Sequence, residues 1–462
     1  MEFLTEWNQG KSFRRTDYTR MRVGALSIEP AKGTDEKFDV LVVGAGVIGL
    51  SCAYHIKSEN PDLQVVVLDK AAAAGQGDTS KSAGAFRNVF TSEVNRLLAD
   101  TSIDFYRHVQ RDLGFNLDLR FVGYLWLLTE EEFERLEGLL ESVRGEGVEV
   151  KIWDRENLLE MIEGINMEFA GDDEEAGVLR LGKIFKGMQG VKCGTVSPDL
   201  VVNFYEQEFK KLGGSVKYNT KVESLLLEPT SKLGIPGEPV LWQDKRIVGV
   251  KTNGGKMLAE TTVVAAGRWS NQLLDDVGID ARIKPKKRQF FSLRSPKIEV
   301  LLNTKGFNEH NVMPFTILPR AGVLMRPEPT ERGFWIGGAD ELGRPFMFEE
   351  DPQAERDYYT YSIYPILSKY FPQFKDVAPT NMWAGLYDIN TLDANPHISE
   401  EAGAIVAAGM SGSGIMKADA IGRVVAALYA KKEYADLHGE RKIKVARLGV
   451  TERDVGIEKF VL

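Results

Sequence analysis

The segment Asp39-Val40-Leu41-Val42-Val43-Gly44-Ala45-Gly46-Val47-Ile48-Gly49 carries the first chemical signal. An apolar run stops at Gly44, and a helical pattern of Leu50, Ala53 and Ile56 starts at once. Strand, tight turn and helix in that order make a cradle for a pyrophosphate. Gly44 permits the sharp turn, Gly46 lets the backbone approach the phosphates, and Gly49 lets the helix pack close on the strand. Val47 and Ile48 open the helix, whose N-terminus offers N–H groups and a positive dipole end to an anion. A second apolar strand, Val65–Leu68, ends in Asp69 and Lys70, about 20 residues past Gly49, where a ribose-binding acid belongs. NAD and FAD both satisfy this much.

Positioning such a turn takes a large core, and 462 residues suffice for two intertwined domains. The 43% hydrophobic and 27% charged content is that of a water-soluble globular chain. A net charge of −9 without a long basic block argues against nucleic acid as a partner. Cys52 and Cys193 are far apart and form no CxxC, which argues against disulfides and thiolate metal sites and fits a reducing compartment. The five histidines show no metal spacing, so no metal is expected. No apolar run has the length of a membrane span, and no apolar stretch follows Arg14-Arg15. A cytoplasmic location is expected, with peripheral membrane contact left open. Residues 1–35 read as a polar arm with Phe3, Leu4, Trp7, Phe13 and Tyr18, either docked or disordered.

Further glycine-punctuated strand ends recur along the chain. Thr261–Gly267 is an apolar strand running into small residues, and Ile405–Gly409 leads into Met410-Ser411-Gly412-Ser413-Gly414-Ile415-Met416 and a helix. Between them, residues from about 285 to 375 alternate as strands rich in aromatics and proline, with a helix expected over Tyr358–Tyr370. Ser197-Pro198-Asp199 opens a helix through Lys211, and Glu130–Arg144 reads as a charge-laced surface helix. A nucleotide domain that is completed only near the C-terminus suits an elongated cofactor, so FAD is favoured over NAD. The expected fold is α/β, a Rossmann-like FAD-binding domain with an interleaved second domain built on an antiparallel sheet. Its boundaries are drawn at 36–115, 190–284 and 376–432 for FAD binding and at 116–189 and 285–375 for substrate, with a tail over 433–462.

The motifs resemble those of the D-amino-acid oxidase superfamily of flavin-dependent amine and amino-acid oxidoreductases, alongside glycine oxidase, sarcosine oxidase and dimethylglycine dehydrogenase. The resemblance rests on Gly44–Gly49, Leu68-Asp69-Lys70, Ser80-Lys81-Ser82-Ala83-Gly84 with Arg87, Ala265-Ala266-Gly267-Arg268-Trp269-Ser270, Trp383-Ala384-Gly385-Leu386 and Gly409–Met416. Within the superfamily the chain is most similar to the archaeal dye-linked L-proline dehydrogenases, through Ser411–Lys417 and Trp383–Ile389. The resemblance implies non-covalent FAD, since Gly385-Leu386-Tyr387 lacks the tethering cysteine of sarcosine oxidase. The implied cofactor set comprises Gly44, Gly46, Val47, Ile48, Gly49, Asp69, Lys70, Ser80, Ser82, Ala83, Gly84, Val222, Ala266, Gly267, Trp269, Gly385, Gly412, Ser413, Gly414, Ile415 and Met416.

The implied activity is oxidation of a small secondary amine or imino acid, L-proline first, by hydride transfer to flavin N5. The electrons would pass to a non-NAD acceptor such as a quinone. Ser413 and Met416 stand where sarcosine oxidase has its histidine and lysine, and Tyr387 and Gly412 where glycine oxidase has arginines, so carboxylate recognition must use other residues. Arg87 and Arg326 are the candidates, because a guanidinium fork binds a carboxylate bidentately. Tyr387 is the candidate for capping the substrate pocket. Structural roles compete at all three positions. A 2-hydroxy-acid or glycerol-3-phosphate substrate and a flavin-carrying subunit of a larger redox complex are the alternatives, and a homo-oligomer is left open.

Overall fold

The computed structural model describes residues 36–320 and 322–455; the arm over 1–35 lies outside them. The first sheet is built on strands that are apolar on both faces. Val40–Val43 and Val65–Leu68 are buried throughout and pair in parallel, Val40 opposite Val65 and Val43 opposite Leu68. β-Branched side chains fill both surfaces of such a parallel pair, which only helices on each side can cover. Across the sheet the order is His397–Glu401, Ala404–Ala408, Gly255–Val264, Glu36–Val43, Val65–Leu68 and Ser215–Lys217, with Lys245–Thr252 and Val222–Pro229 extending antiparallel from Gly255–Val264. Strands from the start, middle and end of the chain are thus neighbours in one sheet.

Two helices lock this arrangement. Val47–Glu59 follows the first strand, and Ala418–Tyr429 follows the last glycine loop. They touch at Gly422, where a Cβ would stand 2.3 Å from Ser51 Oγ, so only glycine allows the approach. At the same contact His55 Nε2 meets Asp419 Oδ1 at 2.8 Å, and Arg423 Nε donates to Asp419 Oδ2 at 2.7 Å. The Asp419 carboxyl is fully buried. Burial alone would raise it, but His55 and Arg423 outweigh that and hold it below the usual carboxylate range. The helix Glu93–Arg111 closes the layer, capped by Ser92 Oγ accepting from Asn95 N at 3.3 Å.

The second sheet runs Pro379–Asn390, Ile283–Arg294, Gly333–Gly338, Val323–Glu328, Phe315–Ile317, Tyr124–Leu128, Lys186–Gly190 and Val150–Trp153. All its pairs are antiparallel except Phe315–Ile317 beside Tyr124–Leu128. One face packs on Phe291, Met325, Phe334 and Tyr370; the other carries Tyr124, Trp126, Phe290 and Phe315. The structure adds three details to the expected organisation. The strand Pro379–Asn390 pairs with Ile283–Arg294 in this sheet, so the boundary drawn at 376 falls just ahead of one of its strands. Within residues 433–455, Tyr434–Asp436 and Lys442–Lys444 form a hairpin, and Ala435, Leu437, Ile443 and Leu448 are buried in the first sheet's core. The helix over Tyr358–Tyr370 starts as a π-helix to Ile363 before its α-helical part.

Candidate active site

A cleft of about 470 Å³ opens between the two sheets. Its floor is the set of turns at the carboxyl ends of the parallel strands, where open α/β sheets bind ligands. Gly44 leaves the first strand at φ +107°, and a Cβ there would come 2.5 Å from the Ala265 carbonyl oxygen. Gly49 sits so close beneath that its Cβ would meet Gly44 O at 1.9 Å. These two glycines are therefore used for backbone packing. Gly46 is the helix N-cap without a side-chain cap, and Thr79 Oγ1 accepts from Val47 N at 3.3 Å. Asp69 ends the second strand; its Oδ2 accepts from Ala45 N at 2.7 Å and its Oδ1 from Ala71 N at 2.8 Å. The carboxylate thus fixes the glycine turn, and each oxygen retains a lone pair for a further donor.

Of the residues singled out in the sequence, Gly44, Gly46, Val47, Ile48, Asp69, Lys70, Ser82, Val222, Ala266, Gly267, Trp269, Gly385, Tyr387, Gly412, Gly414 and Ile415 line this one cleft. Gly49, Ser80, Ala83, Gly84, Ser413 and Met416 stand behind it. Gly84 has φ +56°, and a Cβ would strike Val196 O at 2.2 Å, so it serves a turn. Ser80 Oγ donates to Gly77 O at 3.1 Å, and Ser413 Oγ to Met410 O at 2.7 Å. Gly412 brings the last loop against Tyr387, whose ring a Cβ would meet at 2.2 Å.

The three catalytic candidates share one electrostatic neighbour, the buried Tyr124. Burial pushes the Tyr124 hydroxyl far up, and Arg87, Tyr387 and Arg326 all act on it electrostatically. Only Tyr387 lines the cleft. Arg87 Nη1 donates to Val89 O at 3.3 Å, and its guanidinium lies 4.5 Å from the Phe90 ring centre. Arg326 is ion-paired with Glu328 and stacks 4.2 Å from the Trp335 ring centre. It already has a carboxylate.

The family profile for FAD dependent oxidoreductases matches residues 39–428. The chain belongs to that family. It is 25% identical over 425 residues to the Xenopus laevis FAD-dependent oxidoreductase domain-containing protein 1, covering 85% of this chain and 79% of the relative. It is 25% identical over 406 residues to the glycine oxidase of Bacillus licheniformis, covering 85% and 92%. Among solved structures, the L-proline dehydrogenase from P. horikoshii superposes with a TM-score of 0.70 at 22% identity, over 90% of this chain and 97% of that one. The fold is that of these flavoproteins, and the cofactor of the family is FAD.

The residues present fit that group. A Cβ at Gly267 would meet nothing within 4 Å, so the strand end there faces open space at φ +53°. Arg268 lines the cleft, and its buried Nε has no partner among the described residues. Several cleft residues escaped the sequence reading. Arg288 lines the cleft with its guanidinium 5.3 Å from the Tyr387 ring centre, ion-paired with Glu341. Asp78 accepts from Leu386 N at 2.9 Å and pairs with Arg268, tying three turns together. Asp388 accepts from Gly409 N at 2.9 Å, and burial pushes its carboxyl up to about 6. Lys417 Nζ donates to Asn95 Oδ1 at 2.5 Å and to Ser413 Oγ at 2.6 Å, bracing the last loop from behind. Arg268 and Lys417 lay inside or beside quoted motifs; Asp78 and Arg288 had no spacing signal. Among the described residues no helix is long and apolar enough to cross a membrane, and no group of three His, Cys, Asp or Glu could hold a metal.

Proposed function

We propose that the cleft holds FAD non-covalently, dinucleotide end at Asp69 and ring end at Tyr387 and Gly412, and that the protein oxidises a small secondary amine or imino acid, L-proline first. The observation that carries the reading is the single cleft. It joins the glycine turns of the first sheet to the Arg288–Phe290–Tyr387 surface of the second, with buried cations beside it. The likeness to an L-proline dehydrogenase and a glycine oxidase supports an amino-acid substrate. The first sheet would serve the cofactor and the second the substrate.

FAD, when bound, supplies the acceptor for a hydride from the carbon next to the substrate nitrogen. The chain does the rest. Asp69 accepts the ribose hydroxyls while its bonds to Ala45 and Ala71 hold the turn. The Val47–Glu59 helix turns its positive end to the pyrophosphate. Tyr387 caps the substrate and Phe290 excludes water from it. Arg288, which lines the cleft, takes the carboxylate, with Arg87, which does not line it, as the alternative. A cation beside the amine lowers its pKa, so that the amine binds neutral with its lone pair available. Electrons leave to an acceptor other than NAD.

Anaerobic addition of candidate substrates tests the reading. Bleaching of the flavin absorption by L-proline or a related secondary amine is the expected result. Bleaching by 2-hydroxy acids alone would transfer the site to the hydroxy-acid class, and a spectrum unmoved by both would make the protein a flavin carrier. Lysine in place of Arg288 should raise KM sharply; a rise in KM with lysine in place of Arg87 alone would pass the role to Arg87.

A further inference from the structure

The segment from Asp340 to Glu355 leaves the second sheet and crosses to the first. It is acidic, and it docks on cations. Glu341 pairs with Lys286 and Arg288, and Glu349 and Glu355 with Lys287, while Arg344 pairs with Glu355 within the segment itself. Its tip is Glu350, which with Asp351 and Pro352 lines the Asp69 end of the cleft. Glu350 makes three contacts there. Its carboxylate pairs with Lys70 and accepts from Trp269 Nε1 at 2.8 Å, and its carbonyl accepts from Arg268 Nη2 at 3.0 Å. Lys70 and Trp269 follow two different cofactor turns, one after each of two parallel strands. The Lys70 ammonium and the Arg268 guanidinium each lie 3.9 Å from the Trp269 ring centre, which fixes the indole against the strap.

We propose that Glu350 is a positioning residue that retains FAD: it latches the strap across the mouth of the cleft by gripping Lys70 and Trp269 together. The inference rests on the cleft being the cofactor site. An elongated ligand held along the floor must pass this strap to leave, so the latch acts on departure. The Glu350 side chain is 64% exposed, so removing it opens no core. Burial alone would raise the Glu350 carboxyl, but Lys70 and Trp269 outweigh that and hold it below its ordinary value, so the latch is charged at neutral pH. Being a surface pair, it is open to screening by salt.

Glu350→Gln keeps an acceptor for Trp269 and loses the charge facing Lys70; Glu350→Ala loses both. Holoenzymes of the wild type and the two variants are diluted, and free FAD is followed by recovery of its fluorescence. At low salt, release is expected to be roughly threefold faster in Glu350→Gln and roughly tenfold faster in Glu350→Ala. Added salt should speed the wild type toward Glu350→Gln and leave the variants nearly unmoved. Melting temperatures of the FAD-free proteins should coincide. Equal release rates overturn the latch, and so does a melting temperature of the FAD-free variants that falls as far as that of the holo forms, which would mark a structural residue. A wild-type chain that takes up no FAD overturns the cleft reading and the latch with it, whereas FAD uptake with unaltered retention in the variants sinks the latch alone.

Discussion

The two sheets meet the cleft with different materials. The first offers backbone: Gly44, Gly46, Ala266 and Gly267 bring main chain to the surface, and its charged contributions there, such as Asp69, Lys70 and Arg268, sit in the turns outside the strands. The second offers side chains: Arg288, Phe290 and Tyr387 project from it, and each buried cation on it has a carboxylate partner. A surface made of backbone is specified by carbons that must be absent. A surface made of charged side chains is specified by partners that must be present. The first sheet should therefore fail when a carbon is added, the second when a charge is removed.

The largest effect is expected at Gly49. Valine there would drive a Cβ to within 1.9 Å of Gly44 O, where backbone on both sides prevents relaxation. A loss of about 3 kcal/mol or more is expected, together with colourless protein. Urea unfolding and the flavin absorbance of the purified variant check it. Gly267→Ala is the control from the same sheet. Its Cβ meets nothing within 4 Å, so only the positive φ is penalised, at about 1 kcal/mol. Equal losses at the two positions would show that crowding is not what these glycines avoid.

On the second sheet the matching variant is Arg326→Met. It leaves the Glu328 carboxylate buried without its counter-ion, which costs about 3 kcal/mol. Adding Glu328→Gln should recover much of that loss, because both charges are then gone. A double-mutant cycle measures the coupling. If the double variant is stable yet its KM for the amino acid climbs, Arg326 also serves the substrate; if kinetics are unchanged, its role is structural.

This contrast explains what could be read from the sequence. The turns at Gly44–Gly49 and Gly412–Gly414 were legible because Gly44, Gly49 and Gly412 make close approaches at fixed local spacing, and Gly267 because a positive φ ends its strand. The continuous buried runs of Val65–Leu68 and of Thr262–Val264 were legible for the same local reason. Arg288 was not, because its significance comes from Glu341, far along the chain, and its basic neighbours gave it no distinguishing pattern. Arg326 was noticed while its partner was missed, although residues two apart on a strand face the same side. The strand Pro379–Asn390 was split from its sheet because its partner Ile283–Arg294 lies about a hundred residues earlier, and pairing leaves no local mark.

Acid titration sharpens the comparison, since each sheet carries a group shifted into the window between pH 4 and 6.5. Asp388, on the second sheet, is pushed up to about 6, chiefly by burial. His397, on the edge strand of the first, is pushed down to about 4, chiefly by burial and then by Arg453. An acid raised in the folded state favours folding below its unfolded value and loses that contribution as pH rises through about 4 to 6. A histidine lowered in the folded state contributes fully above about 6.5 and loses that as pH falls toward 4. The two oppose each other over one window, each by about 2–3 kcal/mol. Relative to wild type, Asp388→Asn should lose stability as pH falls from about 6.5 to 4. His397→Gln should lose it as pH rises from about 4 to 6. Unfolding free energies at several pH values decide it; parallel curves for all three proteins would mean that neither group titrates in the fold.

The smallest change in stability is expected where the two sheets come together. Tyr387 belongs to the second sheet, yet its ring is the surface against which Gly412 of the first sheet's last loop is packed. Phenylalanine preserves that packing and removes only the hydroxyl, which has no hydrogen-bond partner among the described residues, so stability should move by less than about 1 kcal/mol. Catalysis should respond differently. If the hydroxyl meets the substrate, kcat/KM falls about tenfold, equivalent to one hydrogen bond, with FAD retention unchanged. A fall in KM affinity alone would place the contact in the ground state, and a fall in kcat alone in the transition state. Loss of FAD instead, with substrate kinetics of the reloaded enzyme intact, would mean that Tyr387 supports the backbone surface of the first sheet rather than the side-chain surface of its own.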